Sequence, residues 1–254
     1  MARRIALLLF VVLLVACEGT PEPSATRQVV QNLATTPELE AMVGSWLTEY
    51  YSQTTTRSLH LEILPRDRSI SEIDMNFNDL LILGEEPPED WFATPLVREV
   101  IGVIVSPDIA LSSLRLEELK DLFTGKTKSW ETFAGVEKPV QLIIPFQGDI
   151  FRERFAQVVL EHSSFDPSAY LANNPQTMVE YVRSKSGAIG FLPISQLEQG
   201  VGVIEIESSG SDKVVINPGE SPLGVDIVAM SPEEPVGTLR EFLVWLQRTY
   251  LSVE

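Results

Sequence analysis

Short apolar runs alternating with helical patterns set the strongest limit on what this chain can fold into. Residues 59–64, 79–83, 100–105, 140–144, 188–192, 201–206 and 225–230 each have strand length, and 100–105 is almost continuously β-branched. Runs of this kind suit strands buried on both faces. Between them the apolar spacing changes. Leu39, Met42, Val43, Trp46, Leu47, Tyr50 and Tyr51 recur at helical intervals,. The alternation predicts an α/β architecture.

Local signals place the helix ends. A first strand is expected over 28–33. Thr36 can cap the helix that follows, with Pro37 at its first position and Glu38 at the positive end of its dipole. Short helices are expected over 70–75 and 114–123, the second stopped by Gly125. Residues 149–160 place Phe151, Phe155, Val158 and Val159 on one helix face,. Asn174-Pro175 starts a helix ending near Arg183. Thr238-Leu239-Arg240-Glu241 has the spacing of a capping box for the last helix, with Leu239, Phe242, Leu243 and Leu246 as its buried stripe,.

The first 26 residues stand apart from this pattern. Arg3 and Arg4 precede an apolar run of 12 residues, Ile5 to Ala16, whereas a membrane-spanning helix needs about 20. A basic start, a short apolar core and then small residues is the layout of a secretory signal peptide. The segment ends Leu14-Val15-Ala16-Cys17, and Cys17 is the chain's one cysteine. That site resembles the bacterial lipobox, in which the thiol takes a lipid and becomes the new N-terminus after cleavage. A single cysteine also rules out an intrachain disulfide. Residues 18–26 (EGTPEPSAT) lack apolar periodicity and read as a tether. The expected parts are therefore 1–16 as signal peptide and 17–27 as lipidated Cys17 plus tether.

About 227 residues follow Arg27, enough for one large domain or two lobes of roughly 100 residues. The formal charge of −17 becomes −19 once Arg3 and Arg4 leave with the signal. Such acidity argues against nucleic acid as a partner, because phosphates demand a basic face. It argues equally against adhesion of the domain surface to anionic lipid.

The order of elements and several phrases resemble the extracellular solute-binding proteins of ABC importers, in the phosphate-binding-like branch of the type II periplasmic-binding fold. The resemblance rests on Thr94-Pro95-Leu96-Val97-Arg98, on the leucine-rich stretch from Ser112 to Phe123-Thr124-Gly125 followed by Ser129-Trp130, on Gly187-Ala188-Ile189-Gly190-Phe191-Leu192-Pro193, and on Ala34-Thr35-Thr36. It implies two α/β lobes joined by two hinge crossings, expected near 98–101 and near 193–203. Lobe 1 would comprise 28–99 plus 203–254, and lobe 2 would comprise 100–202. It also implies a small polar solute as ligand, phosphate or a related oxyanion in the family, ABC permease subunits as partners, and a monomer held outside the cytoplasm by its lipid.

Ligand sites in open α/β sheets lie beyond the carboxyl ends of strands, where helix N-termini offer free N–H groups. Thr35 and Thr36 occupy one such loop, as ligand contacts or as plain capping residues. Gln147, Gly148 and Asp149 occupy another, with Arg152 in the first helical turn as a cation for the cleft or as a surface arginine. In phosphate-binding relatives this loop has an upstream Arg and a Ser-Gly-Thr run. Here Asp149, Ile150 and Phe151 stand in their place, and Asp149 also reads as a helix N-cap. The acidic residue the family places after its central strand corresponds to Glu85, following Gly84. With Glu85 and Asp149 at the cleft, a neutral or partly cationic ligand, or a site that binds nothing, stays open beside phosphate.

Enzyme chemistry finds no pattern here. His60 and His162 lie far apart with no partner motif, the thiol is committed to lipidation, and no metal spacing or phosphate loop of the GxxxxGK type occurs,. No metal or organic cofactor is implied. A surface lipoprotein acting as sensor or scaffold is the alternative to transport. Cys17→Ser is expected to move the protein from the membrane fraction to the soluble fraction and to abolish incorporation of labelled palmitate, both read by fractionation of expressing cells.

Overall fold

The computed structural model describes residues 30–55, 59–64, 79–207 and 221–251. The expected signal peptide, Cys17, the tether and the helix over 70–75 lie outside the described residues. No helix among those described is long and apolar enough to cross a membrane.

The first lobe is built on β1 (Gln31–Thr35), which runs parallel to β2 (Leu59–Ile63) on one side and β3 (Leu80–Leu83) on the other. All four residues of β3 are buried, as suits an interior strand covered on both faces,. Helix α1 (Glu40–Gln53) joins β1 to β2 and buries Val43, Trp46, Leu47 and Tyr50, a one-sided stripe at helical spacing.

A 14-residue strand, β4 (Phe92–Val105), carries both lobes; an average strand has about five or six residues. From Phe92 to Val100 it pairs antiparallel with β10 (Gly224–Ser231), which lies between β3 and β4. From Ile101 onward its partner is β8 (Ala188–Pro193), and β9 (Gly202–Glu207) flanks its other edge at 103–105. The partner therefore changes between Val100 and Ile101. The β4–β10 register slips where Ile227 faces Val97 and Val228 faces Pro95. Proline has no N–H for the ladder, so a bulge beside Pro95 is where such a strand tolerates it.

In the second lobe, β6 (Gln141–Pro145) runs parallel to β8 and to the edge strand β7 (Tyr170–Ala172). A three-residue strand, β5 (Ser113–Arg115), pairs with β9 and leads directly into α2 (Leu116–Phe123); α3 (Glu131–Ala134) follows. The helix α4 (Ile150–Phe155) continues as a wider π-turn over Ala156–Leu160, and α5 (Pro175–Ser184) is capped by the Asn174 side chain. The core of this lobe is aromatic. Phe155 stacks on Phe191 at 4.0 Å between ring centroids and meets Phe123 edge-on at 4.8 Å. Trp130 is fully buried and its Nε1 donates to Gly187 O at 2.8 Å. Gly187 has φ +71°, and a Cβ there would lie 2.3 Å from Pro139 O, so a larger residue would both strain the turn and break this contact.

Several expectations change. The first strand is shifted from 28–33 to 31–35, because Leu33, Ala34 and Thr35 are the residues buried between β2 and β3. Thr36 does not cap α1. A turn intervenes, with Leu39 N donating to Thr36 O, and Leu39 is the N-cap residue without a side-chain cap bond. The last helix, α6 (Gly237–Leu246), has Val236 at its N-cap. Its cap is tertiary: Gln31 of β1 accepts from Leu239 N and donates to Val236 O. Strand β9, expected in lobe 1 from residue 203, pairs only with β4 beyond the crossing and with β5. By this pairing β9 sits with the strands of the second lobe. Strand pairing decides this assignment, and local sequence carries no trace of it.

Phe155→Ala is expected to lower the unfolding free energy by about 3–5 kcal/mol through the cavity left against Phe123 and Phe191, measured by urea denaturation.

Candidate functional site

The two lobes meet where α4 faces the ends of β3 and β10. A cleft of about 700 Å³ opens there, within the usual range for small-molecule sites. Gly84, Glu85 and Glu86 line it from the first lobe, Arg98 and Asp226 from the paired strands β4 and β10, Ile150, Glu153 and Arg154 from α4, and Gln157 from the π-turn that continues it. These last four recur at helical spacing, so one face of α4 and its continuation forms a wall. Arg98 and Asp226 are register partners of β4 and β10, and the Arg98 guanidinium donates to both Asp226 oxygens at 2.7 Å.

The start of α4 shows how its backbone donors are used. Asp149, 5% exposed, caps the helix: its carboxylate accepts from Phe151 N at 2.8 Å and from Arg152 N at 3.0 Å. Ile150 N donates to Glu38 Oε1 at 3.3 Å, across 112 residues of sequence and from the other lobe. Glu38 is 2% exposed. The first three amides of α4 are thus each engaged by a carboxylate of the chain itself, placed where the helix dipole favours negative charge.

The residues expected at the site divide accordingly. Gly84 and Glu85 lie on the cleft wall. Asp149 is the helix cap. Thr35 is fully buried and donates its hydroxyl to Ile82 O at 2.7 Å, a tie between β1 and β3. Thr36 is also buried and its carbonyl closes the turn before α1. Arg152 turns back into its own lobe: Nη1 donates to Pro145 O at 2.8 Å and the guanidinium lies 5.1 Å over the Phe165 ring. Burial holds its pKa below the usual guanidinium range, with Asp149 opposing that shift. Gln147 is exposed, and Gly148 adopts φ +92° in the loop before the helix. His162, read from sequence as an ordinary surface or structural residue, lines the cleft.

Glu38, Arg98, Arg154 and Asp226 were not among the expected site residues. Arg154 and Gln157 share the helical spacing of Ile150 and Glu153, a signal present in the sequence. Glu38 carried only the signature of a first-turn acid, and its role depends on a partner in the other lobe. Among the described residues no group of three or more His, Cys, Asp and Glu is placed to hold a metal ion.

At the crossing, Glu99 is buried and accepts from Ser195 Oγ at 2.8 Å. Burial pushes its pKa up, and the bonds from Ser195 only partly offset this. A carboxyl raised in the fold stabilises the protein most when protonated, and that contribution is lost as pH rises through the folded pKa. Glu99→Gln is therefore expected to melt at a higher temperature than the parent at neutral pH, with the difference vanishing as the pH falls below the ordinary glutamate range. Thermal melts across a pH series measure this.

No family model matches the chain. In sequence it is similar to the phosphate-binding protein PstS of Bacillus subtilis (strain 168), 25% identical over 185 residues, covering 70% of this chain and 61% of that protein. The chain thus spans less than two thirds of that relative. Among solved structures it is similar to a putative phosphate ABC transporter substrate-binding protein with bound phosphate from Clostridium perfringens. That match has a TM-score of 0.71 and 13% identity, covering 86% of this chain and 92% of the other. An ABC-type phosphate transport receptor from Vibrio cholerae gives a TM-score of 0.66 at 13% identity, covering 87% and 95%. The CcmR regulatory domain of Synechocystis PCC6803, in complex with 2-PG, gives 0.61 at 14% identity, covering 89% and 99%. These likenesses agree with the pairing of strands on one point: the chain has the two-lobed α/β type II periplasmic-binding fold, with its lobes joined by two crossings.

Proposed function

We propose that this chain is an extracytoplasmic solute-binding receptor of an ABC importer, taking phosphate or a related oxyanion and handing it to permease subunits. The observation that carries the reading is the cleft of about 700 Å³ between two lobes joined at crossing strands, in a chain similar in sequence to a phosphate-binding protein. Two lobes on a pair of crossings can close over a ligand by hinge motion. Arg98 and Arg154 supply positive charge to the walls, and Gly84 with Glu85 forms the opposing edge. Cys17 would carry the lipid, and residues 18–26 the leash, that keep a monomeric receptor beside its permease. In this reading the protein binds its solute unchanged and is not an enzyme.

One observation favours a second reading, a surface lipoprotein that senses or holds a different solute. The α4 amides are engaged by Glu38 and Asp149, so an oxyanion in this cleft would have to be held by side chains instead. The CcmR likeness supports the same reading, because one fold serves different roles,.

Thermal melting of the full chain in detergent separates the two. Phosphate at a hundredfold excess over its Kd should add about 2.7 kcal/mol of apparent stability. A melting temperature unmoved by phosphate, sulfate and related oxyanions would sink the oxyanion assignment, and a shift with another metabolite would favour the second reading.

A further inference from the structure

The seam between the lobes is bridged by two contacts that need no solute. One is the bond from Ile150 N to the Glu38 carboxylate. Glu38 sits in the turn before α1, in the first lobe, and is 2% exposed. Burying a carboxylate costs several kcal/mol unless donors and favourable dipoles meet it, and the start of α4 provides both. The other contact is apolar. The Ile150 side chain lies against Gly84 of the first lobe, where an added Cβ would come within 3.1 Å of Ile150 Cγ1 and 3.0 Å of Val225 Cγ1. Residue 150 thus touches the first lobe with both its backbone and its side chain.

Closure in two-lobed hinge proteins is ordinarily a population shift produced by whatever binds both lobes at once. Glu38 meets that condition as part of the chain. Its carboxylate belongs to one lobe and its partner amide to the other, and opening the cleft would strand the charge away from the helix that receives it. Asp149 does not do this, because it caps α4 from within the same lobe.

We propose that Glu38 is a built-in latch that holds the two lobes closed in the absence of any solute. The inference goes beyond the receptor reading and stands on the two-lobed fold alone. A solute entering from the open form must then compete with the latch, so the closed unliganded population lowers its apparent affinity.

The test measures the distance between lobes in the full chain, in detergent, with no solute added. The parent carries Cys17→Ser, with spin labels at Ser45→Cys on α1 and Glu180→Cys on α5, both exposed positions. Double electron–electron resonance should give one short distance for the parent. Glu38→Ala, and Glu38→Asp, which keeps the charge but shortens the reach, should each add a longer distance. Glu38→Gln, which keeps an acceptor of the same length, should stay close to the parent. Circular dichroism confirms folding, and Glu38→Asp decides the matter if Glu38→Ala does not fold. A parent that already shows the longer distance, or variants at Ala and Asp that match the parent, would overturn the latch. Neither result bears on whether phosphate raises the melting temperature, so failure of the latch and failure of the receptor reading are told apart.

Discussion

Val100 and Ile101 are neighbours in one strand, yet their partners belong to different lobes: Val100 faces Gly224 and Ile101 faces Pro193. Everything else in the molecule is arranged around that change of partner. The first lobe is fastened to β4 through β10, and the second through β8 and β9. A strand shared in this way transmits little slack along its length, because ladders hold it on both sides of the one bulge at Leu96. Rotation between the lobes has to be absorbed by backbone angles close to the crossing. There the chain places a buried carboxylate, Glu99, bound to Ser195 of the second lobe, and the exposed Arg98–Asp226 pair. The exposed pair contributes little to stability. The buried one matters more, because an uncompensated charge at that depth is costly.

The cleft follows from the same arrangement. Gly84 follows the carboxyl end of β3 and α4 follows the loop after β6, while Asp226 lies near the amino end of the antiparallel β10, so the site gathers the carboxyl end of one strand from each lobe. This is where open α/β sheets place ligands. The chemistry at that place is unusual for an anion receptor in one respect: the helix start that would greet an anion is already occupied by two carboxylates from the chain. Positive charge remains available from Arg154 and from the paired Arg98. A ligand held by guanidinium groups would depend on side-chain geometry, which tolerates more varied solutes than a fixed cradle of backbone amides does.

Much of the fold could be read from the sequence, for physical reasons. Strands β3 and β8 are buried on both faces, and a short, continuous apolar run bounded by turn residues is the pattern that environment selects,. Asn174 and Asp149 cap their helices as their residue types suggest, because a cap bond is local and needs only the next three residues. What escaped was nonlocal. Thr238 has the right spacing for a capping box, yet α6 begins at Gly237 and is capped by Gln31, about two hundred residues earlier. Strand β9 looks alike in either lobe until its pairing is known. Arg152 could equally have faced the cleft, and its contacts with Pro145 O and the Phe165 ring, distant in sequence from one another, decide that it does not. Glu38 was legible as an acid near a helix start but not as a bridge, since its partner lies 112 residues away.

Gln31 also has a mechanical consequence. It lies at the start of β1, the first element described after the N-terminal segment, and its side chain is clamped to both Val236 and Leu239 at the start of α6. Strand β1 itself runs between β2 and β3, parallel to both. A tug on the N-terminal segment therefore loads two ladders and the Gln31 clamp together, in shear, instead of unzipping one bond at a time from an edge. The end of the domain nearest to any tether is the end best built to bear a pull.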